Sequence, residues 1–222
     1  FQVGLSQVGN RNPSWPSSFK AGFINKEGEL VVPFKYDDAG WFYDGLARVK
    51  LGDKWGFIDQ KGQEVIEPKF ESVRDFENGW AKAWLGNKEG IIDKQGSHVI
   101  PIVYDSVDEF QFFFDEVTDE FFSLARVKND GLYGFLDFEG NIVVPIQYGY
   151  IGDLTSPGFS EGLVQVMKNY KWGFIDGHGN VIVELIYDKV SPFSSGRARV
   201  TQGRQTFDID RTGARVNREK RY

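Results

Sequence analysis

The sequence predicts an all-β repeat protein, built of six tandem three-stranded antiparallel units of about 34 residues that close into a propeller-like toroid. Three observations predict this class. The stretch G-F-I-D-x-x-G recurs six times with gradual divergence. Aromatic residues make up 16% of the chain and there are 26 glycines, which suits short strands and tight turns, because rings pack on pleated surfaces and glycine accepts positive φ. No segment shows a sustained 3.6-residue apolar stripe, so helix is not expected outside the longest insertion.

The last glycine of each repeat fixes the register of the units. Successive glycines are separated by 34, 34, 44, 39 and 34 residues, so two of the intervals carry insertions. We predict a single repeat domain over residues 1–222, with an inserted loop at 105–123. The six anchoring glycines are Gly28, Gly62, Gly96, Gly140, Gly179 and Gly213.

Each unit is predicted to contain three strands. The first is LARVK, as at Leu46–Lys50, the second is K-W-G-F-I-D, and the third follows the glycine, as at Glu29–Tyr36. The aspartate of I-D-x-x-G begins a turn that ends on glycine, so its carboxylate is expected to accept turn N–H groups rather than to act in catalysis or bind calcium. Successive apolar positions in the third strand, such as Val31 and Val32, predict burial on both faces. The proline that follows in three units predicts a sheet edge there.

Six such units can close into a ring or stack into an open β-solenoid, which is the alternative. Propeller blades normally have four strands and about 40 residues or more, so 34 residues is short. Closure nevertheless removes the exposed ends of the sheets. The N-terminal stretch FQVGLSQV can supply the missing first strand, beside the sixth unit.

Two columns of the repeat contain candidate binding residues. The first strand carries a polar column that is interpreted as a solvated outer face, with a basic ring or groove as the less favoured reading. The second strand carries Trp55 and Trp172, and Glu89 stands in the same column, so these indoles are expected to be partly buried. The basic members of the first column are Arg48, Lys82, Arg126 and Arg199.

The second-strand motif occurs in full as KWGFIDQKG at Lys54–Gly62 and KWGFIDGHG at Lys171–Gly179, and V-I-P-like and Y-D stretches follow in three units each. In these stretches the chain resembles the bacterial WG-repeat (KWG) family. The resemblance implies a repeat scaffold, often a module within larger bacterial proteins, and supplies no catalytic residue. The last unit departs most, because TFDIDRTG replaces G-F-I-D and NREKRY replaces the apolar third strand. This departure suits a terminal capping unit.

Composition excludes several kinds of chemistry. The absence of cysteine excludes disulfides, thiolate metal sites and cysteine nucleophiles. No nucleophile elbow, phosphate loop or zinc motif is present, so no catalytic residue, metal or cofactor is predicted and the protein is not expected to be an enzyme. A glycosidase-like pair of carboxylates is the less favoured alternative. The net charge of −6 disfavours nucleic acid, and no apolar run is long enough to span a membrane.

The compartment is only weakly indicated by the sequence. A chain without cysteine that begins at Phe1 instead of Met favours a secreted or cell-surface bacterial protein from which an upstream segment has been removed. Protein–protein interaction is the predicted function, because repeat scaffolds offer large rigid surfaces with variable loops. Glycan or cell-wall binding through the tryptophan and tyrosine columns is the second hypothesis.

The insertions indicate where a partner binds. All variation in length falls between the third-strand tyrosine and the next first strand, and equivalent loops of a repeat protein lie on one face. The longer insertion, Asp105–Phe122, holds seven acidic residues, no basic residue and six phenylalanines. It is predicted to form the main interaction surface together with Thr155–Ser160, although rings that merely cap the core are an equal alternative. The candidate residues are Phe110, Phe112, Phe113, Phe114 and Asp115, of which Phe112 and Phe114 share one strand parity and Phe113 and Asp115 the other.

Overall fold

The computed structural model is all-β, as the sequence predicts. It describes residues 5–11, 19–115, 120–152 and 159–216, and within these ranges every regular element is a strand. The strands form six antiparallel sheets. The chain divides into two compact units, Phe1–Tyr104 and Asp105–Tyr222. The single-domain organisation stays a prediction, and each unit is treated separately below.

The first unit holds three sheets. Its first sheet has the order β1-β2-β3, its second β4-β5-β6-β7 and its third β8-β9-β10-β11, with bounds as follows. The strands are β1 (Ser6–Arg11), β2 (Phe19–Ile24), β3 (Leu30–Tyr36), β4 (Asp38–Tyr43), β5 (Leu46–Leu51), β6 (Lys54–Asp59), β7 (Glu64–Phe70), β8 (Ser72–Val73), β9 (Trp80–Leu85), β10 (Lys88–Asp93) and β11 (His98–Tyr104).

The second unit also holds three sheets. Two of them contain an additional short strand beside the main order, β13 and β18 in the numbering that follows. The strands are β12 (Ser106–Val107), β13 (Gln111–Asp115), β14 (Glu120–Asn129), β15 (Leu132–Asp137), β16 (Ile142–Tyr148), β17 (Tyr150–Ile151), β18 (Phe159–Ser160), β19 (Leu163–Lys168), β20 (Lys171–Ile175), β21 (Val181–Tyr187), β22 (Lys189–Val190), β23 (Ala198–Gln202), β24 (Gln205–Ile209) and β25 (Arg215–Val216).

The prediction of three strands per repeat is wrong by one strand. A further strand follows the aromatic residue that ends the third strand and pairs with the next first strand, as β8 pairs with β9 and β22 with β23. In four of the five cases this strand has two residues, too few to leave a period in the sequence. The N-terminal stretch does supply a strand, but it adds to the first unit and not beside the sixth as predicted, because β1 pairs antiparallel with β2 over Ser6–Arg11.

The recurring aspartate closes the hairpin between the second and third strands, as predicted. Asp59 Oδ1 accepts the backbone N–H of Lys61 at 2.8 Å and that of Gln63 at 2.9 Å. The glycine that ends this turn, Gly62, has φ 79°, which side chains resist. The same pair of bonds recurs in the other five units, where the accepting residues are Asn25, Asp93, Asp137, Asp176 and Asp210.

The glycine of the W-G pair is required by a bulge that the sequence did not predict. The third strand bulges where it passes this glycine, so that Trp55 pairs with Phe70 but Phe57 pairs with Ile66. A Cβ added to Gly56 would lie 2.3 Å from the carbonyl oxygen of Ile66. In the same way, a Cβ added to Gly173 would lie 2.4 Å from the carbonyl oxygen of Val183. The pattern therefore retains glycine because the backbone of the neighbouring strand occupies the space of a side chain.

The third strands are buried on one face and not on both, contrary to prediction. Ile66 and Val183 are each 2% exposed, whereas their neighbours Val65 and Ile182 are 41% and 40% exposed. Alternation explains the difference, since successive side chains of a strand point to opposite faces. The strands that carry the predicted proline, β3, β11 and β16, do lie at the edges of their sheets, because each of them ends its sheet order.

Edge-to-face phenylalanine pairs join successive sheets within each unit. Phe57 on β6 and Phe76, which follows β8, have ring centroids 4.6 Å apart at 65°. Phe174 and Phe193 form the equivalent pair at 4.7 Å. Such pairs add about 0.5–1.5 kcal/mol to the burial of the rings themselves. The second phenylalanine of each pair begins a four-residue F-x-x-G turn.

Candidate functional site

One F-x-x-G turn is replaced by a long hairpin. In the third sheet of the first unit, Phe76–Gly79 forms a tight turn closed by a bridge between Glu77 and Trp80. At the equivalent place in the second unit, β13 pairs with the N-terminal half of β14 in a register that runs from Gln111↔Leu124 to Asp115↔Glu120. β14 accordingly has ten residues, where β9 has six. The insertion at 105–123, predicted to be a loop, thus contributes β12, β13 and the start of β14.

The inner face of this hairpin is packed. Phe113 and Phe122 face each other across the two strands with stacked rings, 5.4 Å between centroids at 29°. Both contact Phe159, at 4.9 Å and 5.6 Å between centroids. A Cβ added to Gly177 would lie 2.5 Å from Phe122 Cζ, so the absence of a side chain there makes room for the ring. These contacts attach the hairpin firmly to the core of its unit.

The outer face of the hairpin is exposed. Phe112 is 68% exposed and Phe121 is 82% exposed. The register requires this outcome, because burying Phe113 and Phe122 turns their neighbours to the opposite face. Phe121 pairs with position 114 and Phe112 with position 123, so the two exposed rings are diagonal neighbours, about 7–8 Å apart in such pairs. The hairpin therefore presents two phenylalanines to solvent on a packed support.

The hairpin also has an open edge. β13 pairs with β14 on one side, and among the described strands none pairs with its other side. An unpaired edge leaves backbone N–H and C=O groups available to another chain. Proteins usually protect such edges with lysine or proline, and Gln111–Asp115 contains neither.

The charge around the hairpin is negative. The sequence of residues 115–120 contains four acidic residues and no basic one, and the backbone register places position 115 directly opposite position 120. The nearby cation Arg126 is already paired, because its Nε donates to Asp108 Oδ2 at 2.8 Å.

The residues predicted to form the interaction surface do not all lie on the same face of the hairpin. Phe110 is buried, 7% exposed, and its ring lies 5.9 Å from that of Phe138, so it anchors the base of the hairpin. Phe112 is exposed and Phe113 is packed inward, which agrees with their opposite parity. For Phe114 and Asp115 the structure gives the backbone register alone. The other predicted segment, Thr155–Ser160, lies outside the described residues up to residue 158, while Phe159 supports the hairpin from below.

The basic column is paired with carboxylates. Arg126 binds Asp108, and its Nη1 also donates to the carbonyl of Ile151 in the next sheet at 3.4 Å. The remaining pairs are Arg48 with Asp75 at 3.1 Å, Lys82 with Glu89 at 3.3 Å and Arg199 with Asp208 at 2.9 Å. The cations thus lie in ion pairs that favour the structural interpretation over a basic ring.

The tryptophan column is half-buried. Trp55 packs against the buried cluster that contains Phe57 and Phe70, and the guanidinium of Arg48 lies 5.4 Å from its ring. Trp172 packs against the cluster around Phe174 and contacts Tyr150, with ring centroids 5.0 Å apart. Both indoles therefore have protein on more than one side.

Perturbed ionisable groups lie at contacts between sheets. The Tyr36 hydroxyl donates to Glu64 Oε1 at 3.0 Å, and burial followed by this carboxylate raises the pKa of Tyr36 far above its usual value. Burial raises the pKa of Asp75, against the opposing effect of Arg48. Lys20 holds the pKa of Asp37 below its ordinary value, and Asp37 also accepts the N–H of Gly52. Over the described ranges, no cluster of three or more His, Asp or Glu side chains is arranged to hold a metal.

Five segments of the chain match the family described as WG containing repeat: residues 22–55, 55–88, 90–111, 133–172 and 172–204. The chain belongs to the WG repeat family. These matches cover well over half of the 222 residues. They run through the K-W-G-F-I-D strands and stop at the exposed hairpin, since residues 112–132 lie between two matched segments. Most of the hairpin therefore lies outside the matched segments.

Several solved structures resemble the fold at low similarity. A structure described as the eukaryotic initiation factor matches with a TM-score of 0.40 and 14% identity, over 99% of this chain and 63% of that one. KlHsv2 with loop 6CD replaced by a Gly-Ser linker matches with a TM-score of 0.36 and 11% identity, over 93% of this chain and 77% of that one. A protein of unknown function from Bacteroides caccae matches with a TM-score of 0.27 and 13% identity, over 97% of this chain and 93% of that one. No curated protein matches the chain in sequence.

Two features of the candidate site were missed by sequence reasoning. Phe121 was not among the candidate residues, although it is the more exposed of the two outer rings. The sequence could have predicted its exposure, because a hairpin that pairs Phe113 with Phe122 on the inner face leaves Phe121 on the outer face. The role of Phe159 as a support also escaped notice. Its F-S-E-G sequence matches the F-x-x-G turns of the other units, which places the second insertion before it.

Proposed function

We propose that this WG repeat protein is a non-catalytic scaffold that binds a protein partner through the hairpin at residues 111–124. The observation that carries the proposal is the pair of exposed rings, Phe112 and Phe121, on a hairpin whose other face is packed into the repeat core. Large aromatic side chains held on a rigid support are common centres of protein interfaces.

The rings offer enough apolar surface to matter for binding. Fully burying a phenylalanine side chain contributes about 1.5–3 kcal/mol, and two of them lie side by side here. Because the inner rings already fix the backbone, little conformational entropy is lost when a partner covers the outer ones. The sequence from Asp105 to Phe122 has seven acidic residues and no basic one, a composition that favours solubility when no partner is bound.

The proposal that the protein is not an enzyme rests on the character of its ionisable groups. Among the described residues, the perturbed groups named above are paired across neighbouring sheets, as Tyr36 is with Glu64. A shallow pocket of about 460 Å³ in the second unit is lined by Lys168 and Lys171, but each lysine is bound to a neighbour, Gln147 and Asp188 respectively. Glycan binding by Trp55 and Trp172 is not favoured, because both indoles are partly covered.

Partner capture by matched variants tests the proposed surface. The double variant Phe112→Thr/Phe121→Thr removes both outer rings while keeping residues that favour strands. The control is Tyr170→Asn, which removes a ring that is 88% exposed in the same unit, and asparagine tolerates its φ of 61°. Immobilised proteins are incubated with extract of the source organism, and the captured proteins are quantified.

We expect a protein that binds the wild type and the Tyr170→Asn variant to lose at least about tenfold in capture by the double variant, which corresponds to about 1.4 kcal/mol. Thermal unfolding of the double variant should match that of the wild type. Equal capture by all three proteins would show that the hairpin is not the interaction surface.

We also propose that the repeats close into a propeller-like toroid rather than an open solenoid. The fourth strand found in most repeats supports this, because propeller blades are four-stranded sheets. Small-angle scattering distinguishes the two forms. A compact particle of this length has a radius of gyration of about 17 Å, and a clearly larger value would favour the solenoid.

A further inference from the structure

A pocket in the second unit lies between the edges of two sheets. Gln147 and Tyr148 line it from the end of β16, and Val181 and Leu185 line it from β21. Each of these two strands ends its sheet order. The pocket has a volume of about 460 Å³, which lies in the range of small-molecule sites. None of its lining residues belongs to the hairpin at residues 111–124, so a ligand here would bind apart from the proposed partner surface.

The lining of this pocket is cationic. Lys168 and Lys171 flank the turn between β19 and β20, and both line the pocket together with Asn169. Among the described residues that line it there is no aspartate or glutamate. The whole chain carries a net charge of −6, so the pocket differs in sign from the molecule as a whole. A concave site with positive charge concentrates anions.

The two lysines differ in how much of their charge is neutralised. Lys171 Nζ lies 2.6 Å from Asp188 Oδ1, and this ion pair holds the pKa of Asp188 below its ordinary value, so the carboxylate stays charged. Lys168 Nζ donates to Gln147 Oε1 at 2.6 Å, and an amide carries no charge. An ammonium group has further N–H donors beyond the one used here. Lys168 can therefore bind an anion while it keeps its bond to Gln147.

The Lys168 ammonium is held in place by its neighbours. Gln147 is hydrogen-bonded to Tyr148, which is 3% exposed, and burial raises the pKa of Tyr148 so that its hydroxyl stays neutral. Since the amide oxygen of Gln147 accepts from Lys168, its amide nitrogen is the donor to Tyr148. A buried tyrosine thus orients the amide, and the amide orients the ammonium. Less ordering of the lysine is then needed when an anion binds.

The pocket also has an apolar part. Val181 is 46% exposed, and Leu185 packs partly against the buried cluster that contains Tyr148 and Ile175. Covering exposed aliphatic surface favours binding. A ligand that fits both parts needs an anionic group for Lys168 and an aliphatic body for Val181 and Leu185.

We propose that this pocket binds an aliphatic carboxylate. Its oxygens accept hydrogen bonds from the Lys168 ammonium, and its chain covers Val181 and Leu185. A single unneutralised cation suits a monoanion better than a phosphate group, which carries about −1.5 to −2 charges at pH 7. A free short-chain acid and the C-terminal residue of a peptide share this chemistry, and the experiment below distinguishes them.

Hexanoate serves as the probe. It is titrated into the full chain labelled with ¹⁵N, and the backbone amide signals of the lining residues are followed by NMR. Hexanamide has the same aliphatic chain without the charge, and acetate has the charge without the chain. An N-acetylated tripeptide that ends in leucine with a free carboxylate represents the peptide source.

We expect hexanoate to shift the amide signals of the lining residues with a millimolar dissociation constant. Hexanamide should bind at least about tenfold more weakly, because it lacks the charge-assisted hydrogen bond, and acetate at least about fivefold more weakly, because it covers less apolar surface. Lys168→Met should weaken hexanoate binding at least about fivefold. Lys128→Met is the matched control, since it removes an equal charge from a lysine of the same unit that does not line the pocket, and it should leave the affinity unchanged.

The peptide identifies the source of the carboxylate. Tighter binding of the peptide than of hexanoate would support a chain end as the ligand, and the reverse would support a free acid. Equal binding of hexanoate and hexanamide, equal affinity of Lys168→Met and wild type, or no shift at the lining residues with any probe would overturn the proposal. These results leave the hairpin untested and untouched, because its own test uses variants at positions 112 and 121.

Discussion

Replacing Gly173 with alanine should force the third strand of its sheet away from the second. An added Cβ would lie 2.4 Å from the carbonyl oxygen of Val183 and 2.8 Å from that of Glu184. Real Cβ atoms are essentially never found closer than 3.0 Å, so β21 or β20 must shift by at least about 0.6 Å at a point where both are hydrogen-bonded. Backbone atoms cannot rotate out of the way as the end of a flexible side chain can.

The expected loss of stability follows from this contact. Overpacking in a well-packed interior costs about 1–3 kcal/mol, and a clash with backbone belongs at the upper end. With about 2–4 °C lost per kcal/mol in a chain of this size, the melting temperature should fall by about 6–12 °C. Circular dichroism during heating measures this change.

Gly149→Ala is the matched control. It lies beside the same sheet, its φ is not in the left-handed region, and the closest atom to an added Cβ is the flexible Met167 Cε at 3.3 Å. We expect its melting temperature to stay within about 2 °C of the wild type. If Gly173→Ala is as stable as Gly149→Ala, the bulge does not explain the W-G glycine.

Three further predictions follow from the same contacts. Phe113→Ala should lower the free energy of unfolding by about 2–3 kcal/mol, since Phe113 packs on Phe122 and Phe159, and equal stability of Phe113→Ala and Phe112→Thr in urea would contradict the assignment of faces. Asp137→Ala should cost about 1–2 kcal/mol by removing the acceptor for the N–H groups of Glu139 and Asn141, a loss that Asp137→Asn should largely avoid. Lys171 and Gly203 hold the pKa of Asp188 below its ordinary value, so the carboxylate contributes its stability fully above the unfolded pKa of about 3.9 and loses it as the pH falls through the lower folded value. Lys171→Met should therefore raise the pKa of Asp188 in an NMR titration, and an unchanged pKa would refute the ion pair as its main cause.

The repeat itself could be predicted from the sequence because its chemistry is local. An aspartate and a glycine at fixed spacing determine a turn, and this turn recurs at Asp59 and five equivalent positions. The short fourth strand could not be predicted, because two residues such as Ser72–Val73 carry no period. The burial of one face instead of two was also missed, since valine is compatible with both exposed and buried strand positions.

The insertions located the candidate site in the sequence, and strand pairing in the structure showed which of its residues are exposed. The excess length after Tyr104 indicated the segment that forms the hairpin, and strand parity separated Phe112 from Phe113. Which parity faces outward depends on the contact of Phe113 and Phe122 with Phe159, a residue about 40 positions further along the chain. The open edge of β13 likewise depends on which strands pair, and composition alone contains no such information.

Photo-crosslinking from the outer face tests the central claim most directly. A benzoyl-phenylalanine is introduced at position 112 or 121, or at position 170 as the exposed control, and the protein is irradiated in the source organism. The proposed surface predicts an adduct with one and the same partner protein from positions 112 and 121, and none with that partner from position 170. Adducts of equal yield from all three positions, or from position 170 alone, would contradict the assignment of the hairpin as the binding surface.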